Sequence, residues 1–384
     1  MKTLADVTTK IGSGATPRGG NQVYQDEGTA FIRSQNVQDL AIDDVDMVRI
    51  SDEAAYALRG VAVRRGDVLV NITGESVARV AVWDRDDLAR VSQHVAIVRP
   101  APGVLDSRFL AYWLHAPAQK GDLEVLSAAG ASRRALTKGM LSEFRAPEQD
   151  LTAQQAIAEV LGALDDKIAA NRKISDSSNA LIAFQVAARL QIATPLSKAP
   201  IHFIFGEAFS GAQFSEPGQG RPLIRIRDLK SQQCQVWTTE QRPRETAVSP
   251  GDLLIGMDAE FRATRWSGPP GVLNQRVMMA ESDELGHPIT QIALRETLAR
   301  IERSKSGTTV IHLNKSDLNR EFVMLPATDD LKELRGIVDP LWARATLAEV
   351  ESRTLTAVRD ELLPQLMSGR ITVKDAEKRV EEEV

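Results

Sequence analysis

The chain has 384 residues, a length that predicts roughly two to three domains, and its 43% hydrophobic and 26% charged residues are ordinary for a globular protein. Its one cysteine, Cys234, excludes an internal disulfide and a cysteine zinc site. The net charge of −5 is not that of an autonomous DNA-binding protein, so a DNA-binding function would need a partner to supply much of the phosphate contact. The amino-terminus lacks the apolar run of a signal peptide, and no stretch reaches the roughly 18 apolar residues of a membrane span. We therefore expect a cytoplasmic protein with no membrane contact.

The chain repeats itself with a period of about 180 residues, and a repeat of this kind decides the fold. Six short segments of the first half recur in the same order in the second half. The pairs are residues 12–17 with 209–213, 31–37 with 223–229, 65–70 with 250–255, 92–95 with 274–277, 136–138 with 313–315, and 144–147 with 322–326. Any one pair is weak, but six pairs in one order indicate a duplication.

Each half begins with strand-like runs and a shorter helical patch. In the first half, residues 68–70 follow a Gly-Asp turn and a second run covers 95–98, as expected of strands. Residues 107–115 place their apolar side chains at helical spacing. The counterparts in the second half are residues 253–255, 277–279 and about 289–303. Each half therefore begins with a mixed, strand-rich domain.

Each half then ends in a long helix. Residues 152–190 contain no proline, and their apolar residues alternate steps of four and three, which is typical of a coiled-coil seam. A second such segment, about 329–368, contains Pro340, where we expect a kink. The predicted seam of the helix pair consists of Ile157, Leu161, Leu164, Ile168, Leu334, Val338 and Leu341. The highly charged tail, residues 373–384, is expected to fray.

These elements predict an α+β fold. Two mixed, strand-rich domains are separated by two long antiparallel coiled-coil helices in a pseudo-two-fold repeat. The predicted boundaries are 1–150 for the first domain, 151–196 for the central helix, 197–327 for the second domain, 328–372 for the carboxy-terminal helix and 373–384 for the tail.

The sequence contains no recognisable catalytic motif. Its only Pro-Pro pair, at 269–270, lacks the polar and aromatic neighbours that an amino-methyltransferase loop needs. No Gly-x-x-x-x-Gly-Lys-Ser/Thr phosphate loop is present, and Gly12-x-Gly14 does not continue into a dinucleotide-binding fingerprint because Pro17 follows. The five histidines are scattered without metal-ligand spacing. We therefore expect no active site, metal site or cofactor site in this chain.

Several motifs along the chain follow one known arrangement. They lie at residues 12–17, 31–37 and 65–70 near the start, at 154–173 in the first long helix, and at 362–371 near the end. Together with the order domain, helix, domain, helix, these motifs resemble the specificity subunits of type I restriction–modification systems. The resemblance covers about residues 1–372, and the helix and terminal motifs are its most specific parts.

This resemblance implies a bipartite double-stranded DNA target. Each target-recognition domain would bind one half-site, and the helices would set the length of the spacer between them. The implied partners are two modification subunits, which bind S-adenosylmethionine and methylate adenine at N6. A restriction subunit with translocase activity is a further candidate partner. The resemblance places the S-adenosylmethionine on the modification subunit and no cofactor on this chain.

We predict DNA contacts from polar and basic side chains in the loops around the repeated elements, because loops carry contacts while strands hold them. In the first domain these candidates are Thr16, Arg18, Arg33, Gln35, Asn36, Thr73, Ser76, Arg79, Gln93, His94, Arg133, Arg134 and Lys138. In the second domain they are Arg225, Arg227, Lys230, Arg262, Arg265, Gln275, Arg276, Lys305, Thr308, His312 and Lys315. For Arg33 and Arg225, which lie in apolar stretches, an internal ion pair is the alternative interpretation.

The sequence thus predicts a non-catalytic DNA sequence-specificity subunit. Its target should be asymmetric, because the two halves match in order but differ in their candidate contact residues. The main alternative is a scaffold that pairs two enzyme subunits without recognising DNA, which the near-neutral charge favours slightly. An autonomous endonuclease is disfavoured, since the chain has no convincing acidic–lysine metal site.

Overall fold

A computed structural model describes residues 2–128, 133–305 and 311–383. The chain divides into two compact units: unit 1 consists of Met1–Asp166 and Thr356–Val384, and unit 2 of Lys167–Leu355. The divisions between the units fall inside two long helices, so each helix contributes one segment to each unit. The α+β class predicted from the sequence is confirmed. The predicted domain boundaries stay predictions.

The elements are numbered in chain order. The helices are α1 Leu4–Val7, α2 Asp52–Ala57, α3 Ser107–His115, α4 Pro117–Ala128, α5 Lys138–Glu143, α6 Leu151–Ala187, α7 Asp228–Ser231, α8 Gly286–Lys305, α9 Lys315–Asn319, α10 Thr328–Met367 and α11 Val373–Glu383. The strands of unit 1 are β1 Thr8–Ser13, β2 Tyr24–Gln25, β3 Thr29–Ile32, β4 Arg49–Ile50, β5 Ala62–Val63, β6 Asp67–Asn71, β7 Val80–Trp83, β8 Ala89–Val91 and β9 Val95–Pro100. The strands of unit 2 are β10 Ile192–Pro195, β11 His202–Phe205, β12 Phe214–Ser215, β13 Arg221–Ile224, β14 Trp237–Thr238, β15 Ala247–Val248, β16 Leu253–Gly256, β17 Ala263–Arg265, β18 Gly271–Leu273, β19 Val277–Glu281 and β20 Phe322–Leu325.

The two units repeat one sheet topology. Unit 1 has a four-stranded sheet of order β1-β9-β6-β7 and a five-stranded sheet of order β2-β4-β3-β8-β5. In unit 2 the orders are β11-β19-β16-β17 and β12-β14-β13-β18-β15, and a separate pair joins β10 to β20. Each five-stranded sheet contains one parallel pair, β3 with β8 and β13 with β18. The matching strand orders confirm the duplication that the sequence repeat predicts.

The same Gly-Asp turn opens an inner strand of each four-stranded sheet. Gly66 has a φ of 85° and Gly251 a φ of 102°, in the left-handed region that favours glycine. The side chains of Asp67 and Asp252 each accept a hydrogen bond of 2.7 Å from the backbone N–H three residues earlier. These four residues therefore form the turn and do not point to a binding site.

One of the six predicted repeat pairs has a different register in the structure. The sequence pairs residues 12–17 with 209–213, but the backbone N–H of Gly14 donates to the first carbonyl of β9 at 2.8 Å. The N–H of Gly206 makes the same bond to the first carbonyl of β19, at 3.1 Å. The counterpart of Gly14 is therefore Gly206, and the Ser-Gly-Ala triplet within 209–213 is a coincidence of sequence.

Replacing Gly14 with alanine is expected to destabilise unit 1 by about 2 kcal/mol or more, because overpacking against backbone forces a shift. A Cβ on Gly14 would overlap the carbonyl oxygens of Val91 and Ser92. The matched control is Gly12→Ala, since no atom lies within 4 Å of a Cβ built there. Urea denaturation measures both variants. Equal stabilities for the two variants would contradict the assigned register.

In unit 1 the segments of α6 and α10 run antiparallel. The Arg359 guanidinium lies 2.6 Å from the Asp165 carboxylate, and the Gln149 side chain donates to the Met367 carbonyl at 3.1 Å. Residue numbers thus rise along α6 while they fall along α10. The predicted seam residues of this unit are buried: Ile157, Leu161 and Leu164.

In unit 2 the segments of the same two helices are again antiparallel. Asn171 donates to Glu351 at 2.6 Å, and Arg189 pairs with Glu333 at 3.5 Å. The helix α10 continues through Pro340, where the sequence suggested a kink. The predicted seam residues of this unit are buried or half-buried: Ile168, Leu334, Val338 and Leu341.

The charged tail is helical, which corrects the prediction that it frays. Helix α11 covers Val373–Glu383, and Ala376 is buried. Its start is capped reciprocally. The Asp375 side chain accepts from the Thr372 N–H at 2.9 Å, and the Thr372 hydroxyl accepts from the Asp375 N–H at 3.2 Å. This capping box satisfies amides that would otherwise fray the first turn. No helix within the described ranges is long and apolar enough to cross a membrane.

Replacing Asp39 with asparagine is expected to cost about 1 kcal/mol of stability at pH 7. Burial alone would raise the pKa of Asp39, but His115 at 3.3 Å and Lys120 at 2.9 Å outweigh it and lower the pKa to about 2. The stabilisation is complete above the unfolded pKa near 4 and disappears as the pH falls through about 2. The side chain is 39% exposed, so screening reduces the effect.

Unfolding of the two forms at pH 7 and at pH 2 tests this pH dependence. The difference between Asp39→Asn and the parent chain should shrink toward zero at the lower pH. Asp122→Asn is the control, because its pair with Arg145 is more exposed. A difference for Asp39→Asn that is the same at both pH values would contradict the expectation.

Candidate nucleic-acid interface

Three loops of unit 1 meet at one end of its four-stranded sheet. The backbone N–H of Ile72 donates to His94 O at 3.0 Å, that of Gly74 to Arg134 O at 3.1 Å, and that of Leu136 to Ile72 O at 2.8 Å. We call residues 72–76, 92–94 and 133–138 the unit-1 loop cluster. It contains the predicted contact residues Thr73, Ser76, Gln93, His94, Arg133, Arg134 and Lys138.

Apart from the exposed Glu75, the side chains of the unit-1 loop cluster are basic or neutral, and most of them are exposed. Gln93, His94, Arg133, Arg134 and Lys138 are all exposed. The hydroxyl of Thr73 lies 2.8 Å from Nδ1 of His94. Within residues 2–128, 133–305 and 311–383, neither arginine nor the lysine forms an ion pair inside 4 Å. This cluster can therefore offer three cations to a phosphate backbone.

Unit 2 assembles the same three loops at the corresponding end of its sheet. The N–H of Met257 donates to Arg276 O at 3.0 Å, that of Ala259 to Ile311 O at 3.3 Å, and that of Leu313 to Met257 O at 2.8 Å. We call residues 257–260, 274–276 and 311–315 the unit-2 loop cluster. It contains the predicted contact residues Gln275, Arg276, His312 and Lys315.

The unit-2 loop cluster differs from that of unit 1 in its charges. His312 Nδ1 lies 2.6 Å from the Asp258 carboxylate, and Arg276 lies 3.7 Å from the same carboxylate. Gln275, Arg276 and Lys315 are exposed. Lys305, close by in α8, pairs with Asp317 at 2.8 Å. The predicted contact Thr308 lies outside the described residues.

Other predicted contacts lie outside the two loop clusters. Thr16, Arg18 and Gln35 are exposed in unit 1, and Arg227 and Lys230 are exposed in unit 2.

Three further arginines already have partners within their own unit. Arg79 donates to Gln38 at 2.8 Å. Arg262 pairs with Glu260, and both side chains are mostly exposed. Arg225 is half-buried, and both its backbone N–H and its guanidinium contact Asp228. An internal role for Arg225 was the alternative interpretation from the sequence.

Arg33 is also held inside unit 1. It donates to the Asp46 carbonyl at 2.9 Å, and its guanidinium lies over the Tyr24 ring, 5.6 Å from the centroid. The side chain is half-buried between these partners. Its contacts are therefore internal, but they are a carbonyl hydrogen bond and a ring contact, and among the described residues Arg33 forms none of the ion pairs that the alternative interpretation expected.

Two predicted contact residues are buried in structural networks, which corrects the prediction for them. Asn36 is 0% exposed; its amide oxygen accepts from the Arg33 N–H and its amide nitrogen donates to the Asp43 and Val45 carbonyls. Every polar atom of this amide is thus already used in closing a turn, and none is free to contact a base.

Arg265 is the second buried residue. Its side chain is 5% exposed and lies against the helices of unit 2. It pairs with Glu349, donates to Asn179 at 3.1 Å, and stacks over the Trp342 ring, 4.6 Å from the centroid. A guanidinium in this position holds the sheet to the helices and does not reach solvent.

Asp258, which contacts both His312 and Arg276 in the unit-2 loop cluster, was not among the residues predicted from the sequence. It is the second residue after β16, and the matching position after β6 holds Thr73. Extending the repeat pair 65–70 with 250–255 by three residues would have aligned the two. The signal was missed because the two side chains share no obvious chemistry.

The single cysteine is not an activated nucleophile. Cys234 is half-buried, and burial, followed by the negative charge of Asp228, raises the pKa of its thiol to about 12. A thiol with such a pKa remains protonated at neutral pH. Among residues 2–128, 133–305 and 311–383, no cluster of His, Cys, Asp or Glu could hold a metal ion.

Known proteins similar in sequence to this chain are specificity subunits. The specificity subunit of the type I restriction enzyme EcoBI of Escherichia coli is 34% identical over 185 residues, which cover 46% of this chain and 39% of that protein. The MjaIX specificity subunit of Methanocaldococcus jannaschii is 29% identical over 89 residues, 23% of this chain and 21% of that protein. The matches therefore span well under half of each relative. No protein-family model matches the chain.

The fold and the duplicated loop clusters define a class: a chain of two units with one repeated topology and two shared long helices. The S subunit of a type I restriction–modification system from M. genitalium has the same fold, with a TM-score of 0.57 at 16% identity, covering 95% of both chains. The resemblance to type I specificity subunits that the motifs indicated is thus confirmed, in sequence over part of the chain and in fold over nearly all of it.

Proposed function

We propose that this chain is the DNA sequence-specificity subunit of a type I restriction–modification complex. The main support for this proposal is the pair of loop clusters. Each cluster lies at the corresponding end of its own unit's four-stranded sheet and is built on equivalent backbone hydrogen bonds. The two clusters nevertheless present different side chains. A constant scaffold with variable polar loops is the arrangement expected of a recognition module.

The target of the proposed subunit is bipartite and asymmetric. Each unit would bind one half-site through its loop cluster, and the helices α6 and α10 would set the spacer between them. Thr73 and His94 of unit 1 occupy the positions that Asp258 and Arg276 occupy in unit 2, so the two half-sites should differ in sequence. The spacer role of the helices is carried over from the resemblance to type I specificity subunits.

In this proposal the chain itself is not catalytic. Two modification subunits bind S-adenosylmethionine and methylate adenine at N6, and a restriction subunit with translocase activity is a further partner. The net charge of −5 supports a shared interface, because the 52 acidic side chains outnumber the 47 basic ones and repel a phosphate backbone overall. The complex would act in the cytoplasm, where its chromosomal substrate lies.

The proposal is tested by selecting binding sites from randomised duplex DNA with the complex assembled on its modification subunits. We expect enrichment of one split motif with two different half-sites. A scaffold that does not recognise DNA would enrich no motif, and that outcome would overturn the proposal. A parallel assay of the purified chain with S-adenosylmethionine and DNA should show no methyl transfer, and turnover there would disprove the non-catalytic role.

A further inference from the structure

The two loop clusters share the same backbone conformation, including one residue with a positive φ. Gly74 in unit 1 has a φ of 74°, and Ala259 at the corresponding position in unit 2 has a φ of 66°. A left-handed conformation is costly for alanine, so the shared conformation is maintained against a local preference. The corresponding positions of the two clusters hold Thr73, His94 and Ala135 in unit 1, and Asp258, Arg276 and His312 in unit 2.

The Asp258 carboxylate anchors the other two side chains of unit 2. It lies 2.6 Å from Nδ1 of His312, and we assign the proton to Nδ1, since two lone pairs would repel at this separation. The Arg276 guanidinium lies 3.2 Å from the same ring nitrogen and 3.7 Å from the carboxylate. Because Nδ1 is a donor, the attraction on Arg276 comes from Asp258.

This arrangement contributes little to folding stability. The Arg276 side chain is 51% exposed and that of Asp258 is 31% exposed, and ion pairs at such sites are screened by water. Its effect is on conformation, because a carboxylate beside an exposed arginine restricts the positions that the long side chain adopts. A residue held in place before binding loses less entropy when it contacts its ligand.

We propose that Arg276 recognises a guanine in the half-site bound by unit 2, with Asp258 and His312 as positioning residues. The inference rests on the DNA-recognition function proposed above. The planar guanidinium can donate two parallel hydrogen bonds to O6 and N7 of guanine in the major groove. The adjacent carboxylate repels phosphates, so it keeps the guanidinium on the base edge. In unit 1 the corresponding side chain is His94, which cannot make that bidentate contact.

The test uses the complex with its modification subunits and duplexes in which each position of the half-sites is varied singly. The unaltered complex should prefer guanine at a position that unit 2 contacts. Arg276→Gln should reduce discrimination at that position by roughly tenfold or more and shift it toward adenine. Arg276→Lys should keep most of the affinity but weaken the guanine preference, because the ammonium retains the charge and can donate to guanine but lacks the planar fork.

The variant Asp258→Asn distinguishes the positioning of Arg276 by Asp258 from the contact that Arg276 itself makes with the base. It removes the anchoring charge, so guanine discrimination should weaken while affinity for unrelated DNA stays the same or rises. The matched control is Arg295→Gln, an exposed arginine on α8 outside the loop cluster, which should alter no position. Guanine discrimination that survives in both Arg276 variants would overturn this inference and leave the proposed function intact. An unaltered complex with no motif at all would overturn the proposed function itself.

Discussion

Replacing Arg265 with methionine is expected to destabilise unit 2 by about 3 kcal/mol, since it leaves the partner carboxylate without a countercharge. The Arg265 side chain is 5% exposed and that of Glu349 is 28% exposed. The arginine also donates to Asn179 at 3.1 Å and to Ser175 at 3.4 Å, so one substitution removes several hydrogen bonds. Urea denaturation of the full chain measures the loss.

The double variant with Glu349→Gln should recover a large part of that loss, because no uncompensated charge then remains. Arg262→Met is the matched control. Its side chain is 73% exposed, and its partner Glu260 is 69% exposed, so we expect a change within about 0.5 kcal/mol. A cost for Arg265→Met as small as that of the control would show that the network is not structural.

Replacing both Arg133 and Arg134 with alanine is expected to weaken DNA binding by the complex on the order of tenfold. The two side chains are exposed, and the Arg134 carbonyl accepts from the Gly74 N–H at 3.1 Å, which ties this segment to the loop cluster. If both contact phosphates, the loss is the same on target and unrelated DNA. The salt dependence of the binding constant should fall by about two counterions.

Titrations at several salt concentrations, on target and on scrambled DNA, measure this effect. Arg59→Ala with Arg64→Ala is the charge-matched control, because both residues are exposed in unit 1 and lie outside the predicted contacts. An unchanged salt slope would mean that Arg133 and Arg134 are only solvated surface charges. A loss confined to the target would assign them to base recognition and not to phosphate contact.

The periodic features of the sequence predicted much of the fold. The duplication, the strand pairs that follow the Gly-Asp turns, helix α3 and both long helices were all expected. These features are local or repeat in order, so they can be identified without knowing the tertiary contacts. The prediction that the tail frays was wrong, because it rested on the high charge and overlooked the capping pair of Thr372 and Asp375.

The candidate site was predicted less completely, because exposure depends on tertiary packing. Arg265 and Arg276 are both arginines in the second half, yet one is buried against Glu349 and the other lies in the loop cluster. Asn36 is suited to adenine recognition by type but closes an internal turn. Asp258 was overlooked because it shares no obvious chemistry with Thr73, its counterpart in the repeat, and because its partner His312 is distant in sequence.

The central claim is that two unlike loop clusters on one repeated scaffold recognise two unlike half-sites. Methylation-aware sequencing of a genome exposed to the complex tests it most directly. We expect N6-methyladenine at a single split motif, with different bases in the two halves and methylated adenines separated by about one helical turn. Methylation without a motif, or at a continuous or palindromic site, would contradict it.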